Sequence, residues 1–156
     1  HTSREPRAGE ENGVHYHFVS REKFESMIQN NEFLEYAEVH GNYYGTSFAS
    51  IKQVTDSGQI CILDLNIDGA IAVSKSDLEP FIVFLRPSSM PALEARLRRR
   101  GTETEELIQK RMKTAEEEMK RFEENKSIWS MVIVNDRMDQ TLVELSSELF
   151  KRYKLP

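Results

Sequence analysis

The sequence predicts an α/β fold built on a parallel sheet, with a small mixed subdomain ahead of it. Three runs, "QICILDL", "PFIVFLR" and "SMVIVND", are almost continuously apolar. Strands buried on both faces of a parallel sheet read this way. Stretches with helical spacing of apolar residues separate the runs, and strands that alternate with helices build a parallel α/β core. The first third is different in kind, dense in aromatic and turn residues.

Within that first third, "VHYHFV" alternates as a strand does. "SREKFESMIQNN" places a capping serine ahead of helical spacing through Phe24, Met27 and Ile28. "EFLEYAEVHGNYYG" reads as strand, turn and strand about Gly41-Asn42. A helix over "SFASIKQVTDSG" then stops at Gly58, ahead of the first apolar run. A short helical stretch leads to the second run. Two highly charged helical segments follow, "PALEARLRRRG" and "TETEELIQKRMKTAEEEMKRFEENK", divided at Arg100-Gly101. The third run precedes a last helix over "MDQTLVELSSELFKRYK", whose apolar residues recur at helical spacing.

A chain of 156 residues has the size of one ordinary domain. Its net charge of −5 argues against general nucleic-acid binding, which needs many clustered cations on phosphates. Any anion site must therefore be local. Cys61 is alone, so no disulfide forms within the chain, and a reducing compartment, the cytoplasm, is the expectation. A small buried core residue is the plain role for this cysteine. No apolar run reaches the length of a membrane span, and the first residues lack a signal-peptide core.

The local candidate is "HTSREPRAGEENG", where His1, Arg4 and Arg7 crowd one segment of an acidic chain. Each guanidinium is a planar fork of donors matched to phosphate oxygens, and the proline in "REPR" stiffens the loop between the two arginines. A solvated charge run is the alternative. The segment from about Arg96 to Lys126 has few apolar groups to bury, and reads either as a solvated helix pair or as a mobile lid.

Four stretches, "HTSREPRAGEENGVHYHFVSREKF", "EFLEYAEVHGNYYGTS", "RLRRRGTETEELIQKR" and "VIVND", closely resemble the guanylate kinase family in order, spacing and content. The resemblance covers essentially the whole chain. It implies a P-loop kinase-like parallel sheet core with a small mixed β/α GMP-binding subdomain and a helical lid. It further implies one domain over 1–156, with the GMP and phosphate subdomain at 1–50, the core at 51–95 and 127–156, and the lid region at 96–126. By the same resemblance Arg4, Arg7, Tyr16 and Tyr44 would hold the GMP phosphate, and Glu35 and Thr46 would read the guanine edge. The chemistry suits these roles, since a carboxylate can accept from both N1–H and the exocyclic amino group of guanine, a pattern adenine lacks. Taken singly, the two tyrosines read as half-buried strand aromatics and Glu35 as an exposed strand residue. Arg96, Arg100 and Arg111 match lid positions that clasp nucleotide phosphates, where cations stabilise the transferring group. Arg98 and Arg99 fit a solvated helix laced with Glu-Arg pairs. Asn135, with Asp136, falls where the family places its adenine-contacting loop, although a strand-ending turn explains both residues nearly as well. The implied co-substrate is ATP, with Mg2+ as its metal. No residue of the chain is assigned as a metal ligand, and the resemblance does not give an oligomeric state.

Two features depart from the family pattern. No G-x-x-x-x-G-K-[ST] phosphate loop occurs in the sequence. Either the sequence is part of a longer chain, which is the expectation, or ATP is not bound in the family manner. Loss of a central parallel strand would leave edge groups unpaired in mid-sheet. In "LDLNIDGA", Asp64 keeps the first acid of the family's Asp-x-Asp-x-Gln-Gly, but Asn66 and Asp68 replace the second acid and the glutamine. Asn66 can still accept one hydrogen bond from guanine, at an expected loss of about 1–3 kcal/mol in orienting GMP. This change resembles the non-catalytic guanylate kinase-like domains of scaffold proteins, as does "LEPFIVFLRPSS", whereas the arginine-rich lid resembles the enzymes. The expected function is transfer of the ATP γ-phosphate to GMP, giving GDP. The alternative is a domain that binds a phosphorylated partner protein in the GMP-phosphate pocket.

Overall fold

A computed structural model describes residues 1–39, 41–101 and 104–153. His40 in the predicted hairpin, the Thr102-Glu103 start of the second charged helix and Lys154 at the end of the last helix lie outside them. The fold is mixed α/β in two compact units, His1–Glu79 and Pro80–Pro156.

In the first unit, helix α1 (Arg21–Gln29) begins where predicted, with the Ser20 side chain accepting from the Lys23 amide. Strands β1 (Phe33–Val39) and β2 (Asn42–Ser47) pair antiparallel. Helix α2 (Phe48–Asp56) is capped by Ser47, and α3 (Ile67–Ser74) by Asn66. Residues 1–3 run between two neighbours. The Thr2 amide donates to the His17 carbonyl (3.1 Å) and the Ser3 amide to the Tyr43 carbonyl (3.0 Å), while the Thr2 carbonyl accepts from Val19 (3.0 Å). Thr2 is completely buried.

Two apolar clusters hold this unit together. Phe24 of α1, fully buried, stacks on Phe33 (4.3 Å) and on Tyr43 (5.1 Å), with Met27 beside it. Leu34, Ile51 and Val73 form the second cluster, joined by Cys61, Leu63 and Leu65. Gly45 is the point of closest approach. A Cβ there would lie 2.9 Å from the Glu35 carbonyl oxygen and 3.1 Å from the Phe24 ring. Gly45→Ala should therefore cost about 1–3 kcal/mol by overpacking. A thermal melt of the variant checks this, and an unchanged midpoint would show that the hairpin can shift at no cost.

In the second unit, β3 (Val83–Arg86) and β4 (Met131–Val134) form the parallel pair, in register from Val83 opposite Met131 to Arg86 opposite Val134. Helix α4 (Met90–Arg100) ends at Gly101 in the left-handed region (φ 67°). Helix α5 (Glu105–Glu124) and a short 3-10 turn (Lys126–Ile128) follow, and α6 (Met138–Tyr153) comes after β4. Phe84 stacks on Phe122 (4.3 Å) and meets Trp129 at a tilt (4.9 Å), while Ile133 lies at 1% exposure.

Two predicted strands are corrected. "VHYHFV" is broken by a turn at Gly13–His15 and retains only isolated bridges at Tyr16 and Phe18. Gly13 takes φ 81°, and the Asn12 side chain accepts from the Phe18 amide (2.8 Å), so side-chain bonding replaces a ladder. "QICILDL" has no ladder among the described residues, and it is not buried on both faces. Cys61, Leu63 and Leu65 point inward, whereas Ile62 is 77% exposed. The other two apolar runs do pair, but over shorter spans than the runs themselves, and Leu85, Val132 and Val134 are exposed, so neither is buried on both faces.

Candidate active site

The end of the 1–3 segment delivers Arg4 between two aromatic neighbours. Its guanidinium carbon lies 5.6 Å from the Tyr16 ring centroid and 5.7 Å from that of Phe18. Tyr16 meets Tyr44 edge-on, with ring centroids 6.1 Å apart. Thr2 bridges to both Phe18 and Tyr44, and this is why the three side chains meet. Arg4 is held by Glu10 as a fork on a fork, Nη1 to Oε2 and Nη2 to Oε1, both at 2.9 Å. Glu10 also accepts from the Arg7 amide (2.7 Å), while Arg7 itself is exposed. The guanidinium of Arg7 makes no ion pair with a described residue.

These contacts set the local titration. The Arg4 fork, with the Arg7 amide second, holds the Glu10 carboxyl down to about 2 from an ordinary value of 4.5. Glu10, and then the Tyr44 hydroxyl, raise Arg4 in turn. A depressed carboxylate adds stability that is fully present above pH 4.5 and is lost as pH falls through 2. The loop should thus stay closed through mildly acidic conditions. Carbon-detected NMR titration of Glu10 checks this, with a midpoint near 2 expected; a midpoint near 4.5 would mean that the fork does not persist in solution.

The β1–β2 register continues the site. Glu35 stands opposite Thr46 and Ala37 opposite Tyr44, so Glu35, Tyr44 and Thr46 share one sheet face. The Thr46 hydroxyl donates to Glu35 Oε1 at 2.6 Å. The other face, with Tyr43 and Gly45, lies against Phe24. Asp64 is exposed in the extended segment before α3. Asn66 has a local task, since its Oδ1 accepts from the Gly69 amide (2.9 Å) and caps α3. Asp caps a helix as well as Asn does, so capping alone does not explain the amide.

The remaining candidates lie in the second unit. Arg96 Nη2 donates to the Asn135 carbonyl (2.6 Å) and reaches Asp136 Oδ1 at 3.4 Å. Asn135 Oδ1 accepts from the buried Thr141 hydroxyl (3.1 Å), and Asp136 Oδ1 accepts from the Ser88 amide (3.3 Å). Arg96 and the Asn135–Asp136 loop are thereby one hydrogen-bonded group. Arg100 and Arg111 are exposed on α4 and α5. Arg98 joins these helices, binding Glu94 within α4 and Glu105 at the start of α5. The Arg98 fork holds the Glu105 carboxyl down to about 2.

The guanylate kinase family model matches residues 1–152. The chain belongs to the guanylate kinase family. Among curated guanylate kinase relatives, Guanylate kinase 1 of Arabidopsis thaliana is 47% identical over 96% of this chain, and guanylate kinase of Sus scrofa 41% over 99%. The chain spans 38% of the length of the first relative and 77% of the second; it spans 36% of Guanylate kinase 1 of Oryza sativa. The crystal structure of guanylate kinase from Anaplasma phagocytophilum superposes with a TM-score of 0.68 at 32% identity, covering 97% of this chain and 72% of that one. Against the guanylate kinase expectations, Arg4, Tyr16, Tyr44, Thr46 and Glu35 are brought together in the first unit, and Arg96 with Asn135 in the second. Sequence reasoning missed Glu10. Its signal was available, because an acid six residues after one arginine and three after another, in a turn-rich stretch, can close a loop on both.

Proposed function

We propose that the protein carrying this chain transfers the γ-phosphate of ATP to GMP, giving GDP and ADP. One observation carries the reading: Arg4 lies against Tyr16, which meets Tyr44 on the sheet face that also bears the Glu35–Thr46 pair. An anion site that adjoins a base-reading acceptor fits a nucleoside monophosphate. Arg4, Arg7 and the hydroxyls of Tyr16 and Tyr44 bind the phosphate. The Thr46 hydroxyl occupies Glu35 Oε1, and the carboxylate's remaining capacity accepts from the guanine edge.

Phosphoryl transfer asks the protein mainly for positioning and charge stabilisation. In this reading Arg100 and Arg111 supply positive charge to the transferring group, with Arg96 orienting the Asn135 loop toward adenine. Asp64 acts near the metal and the phosphates. Mg2+ enters with ATP, carried on its phosphates. Asn66 contributes at most a neutral contact to guanine, because its Oδ1 is engaged at Gly69.

The test is a coupled assay of GDP formation by the complete protein, with GMP and AMP compared as acceptors. Strong preference for GMP is expected. No GMP-dependent turnover, together with saturable binding of a phosphoserine peptide, would overturn the reading in favour of a protein-binding domain.

A further inference from the structure

Arg4 is the cation the sequence points to first, yet most of its donors are committed inside the protein. Nη1 serves Glu10 and the Glu5 carbonyl, and Nη2 serves Glu10. Nε is buried without a hydrogen-bond partner. The side chain is only 14% exposed and lies among the rings of Tyr16 and Phe18. Releasing it would break a bidentate ion pair and uncover that packing. Glu10 is tied just as firmly, because it also accepts from the Arg7 amide and its own amide donates to the Arg7 carbonyl (3.0 Å). The turn that permits this passes through Gly9 at φ 86°, a conformation suited to glycine.

A carboxylate that grips one arginine by its side chain and the other by its backbone fixes the spacing between them. We propose that Glu10 is the positioning residue of the anion site: it fixes the Arg4 guanidinium beside the phosphate position and sets the backbone from which the Arg7 guanidinium reaches the substrate phosphate. The proposal rests on the guanylate kinase reading for the identity of the substrate.

The test is Glu10→Gln in the complete protein, with Glu10→Asp as the charge-conserving partner. Glu10→Gln should raise KM for GMP by about tenfold or more, with kcat within about threefold and KM for ATP unchanged. Glu10→Asp, shorter but still charged, should recover part of the loss. A residue with only a structural role would move the melting midpoint and both KM values together. A second readout needs no turnover: modification of arginines by phenylglyoxal, located by peptide mapping. Arg4 should react about tenfold more slowly than Arg7 in the wild type, and the rates should converge in Glu10→Gln. Unchanged or lower KM for GMP in Glu10→Gln, or equal arginine reactivity in the wild type, overturns the proposal. If the wild type fails to phosphorylate GMP, the kinase reading falls, and arginine reactivity alone decides the role of Glu10.

Discussion

Replacing Phe24 with alanine should destabilise the His1–Glu79 unit by about 3–5 kcal/mol, the range for emptying a fully buried aromatic site. Phe24 has no exposed surface, and rings stack on it from two sides. Neither neighbour can collapse freely into the space. Phe33 leads into β1 and Tyr43 belongs to β2, so a shift of either moves the hairpin that carries Glu35, Tyr44 and Thr46. Urea unfolding followed by circular dichroism gives the loss directly. A change below about 1 kcal/mol would mean that the two rings close over the cavity. The variant should also bind GMP more weakly, because Tyr43 and Tyr44 are adjacent and face opposite sides of the same strand.

Replacing Arg7 with alanine should lower kcat/KM for GMP by about 100-fold while leaving the fold intact, as expected when a bound phosphate is deprived of one charged partner. The contrast with Arg4 makes this specific. The guanidinium of Arg4 is engaged by Glu10, whereas Arg7 bonds to the described residues through its backbone amide and carbonyl. Removing the Arg7 side chain breaks no internal bond among those described, so the melting midpoint should scarcely move. Steady-state kinetics with GMP varied at saturating ATP is the measurement. A fall of less than about threefold would show that the phosphate is held elsewhere.

The sequence disclosed most of this where local chemistry decides the outcome. Helix starts at Ser20 and Ser47 were legible because a short hydroxyl side chain bonds an amide just ahead of it. The Arg100-Gly101 break was legible because Gly101 takes a positive φ. The hairpin was legible as well, and its register sets Tyr44 and Thr46 on one face. What stayed hidden depends on partners distant in sequence. "QICILDL" turns every second residue inward rather than burying both faces, and an apolar pattern does not name a neighbouring strand. "VHYHFV" alternates in composition, yet the Asn12 bond to Phe18 redirects the chain. Asn66 shows another limit. It draws notice as a change in a motif, while its bond to the Gly69 amide could be read only from the folded chain.

The aromatic stack of the second unit makes the chain its own pair of optical probes. Trp129 is the one tryptophan in the sequence, and it sits against Phe84 and Phe122 in the Pro80–Pro156 unit. Tyr16, Tyr36, Tyr43 and Tyr44 all belong to the other unit, leaving only Tyr153 beside the indole's half of the chain. Indole emission therefore follows one half, and phenol absorbance follows mainly the other. Superimposable melting traces at the two wavelengths would mean one cooperative transition, and separated traces would mean two. Phe24→Ala makes the distinction sharp, since its cavity is on the phenol side: a shift of the indole trace in that variant would measure how strongly one half supports the other.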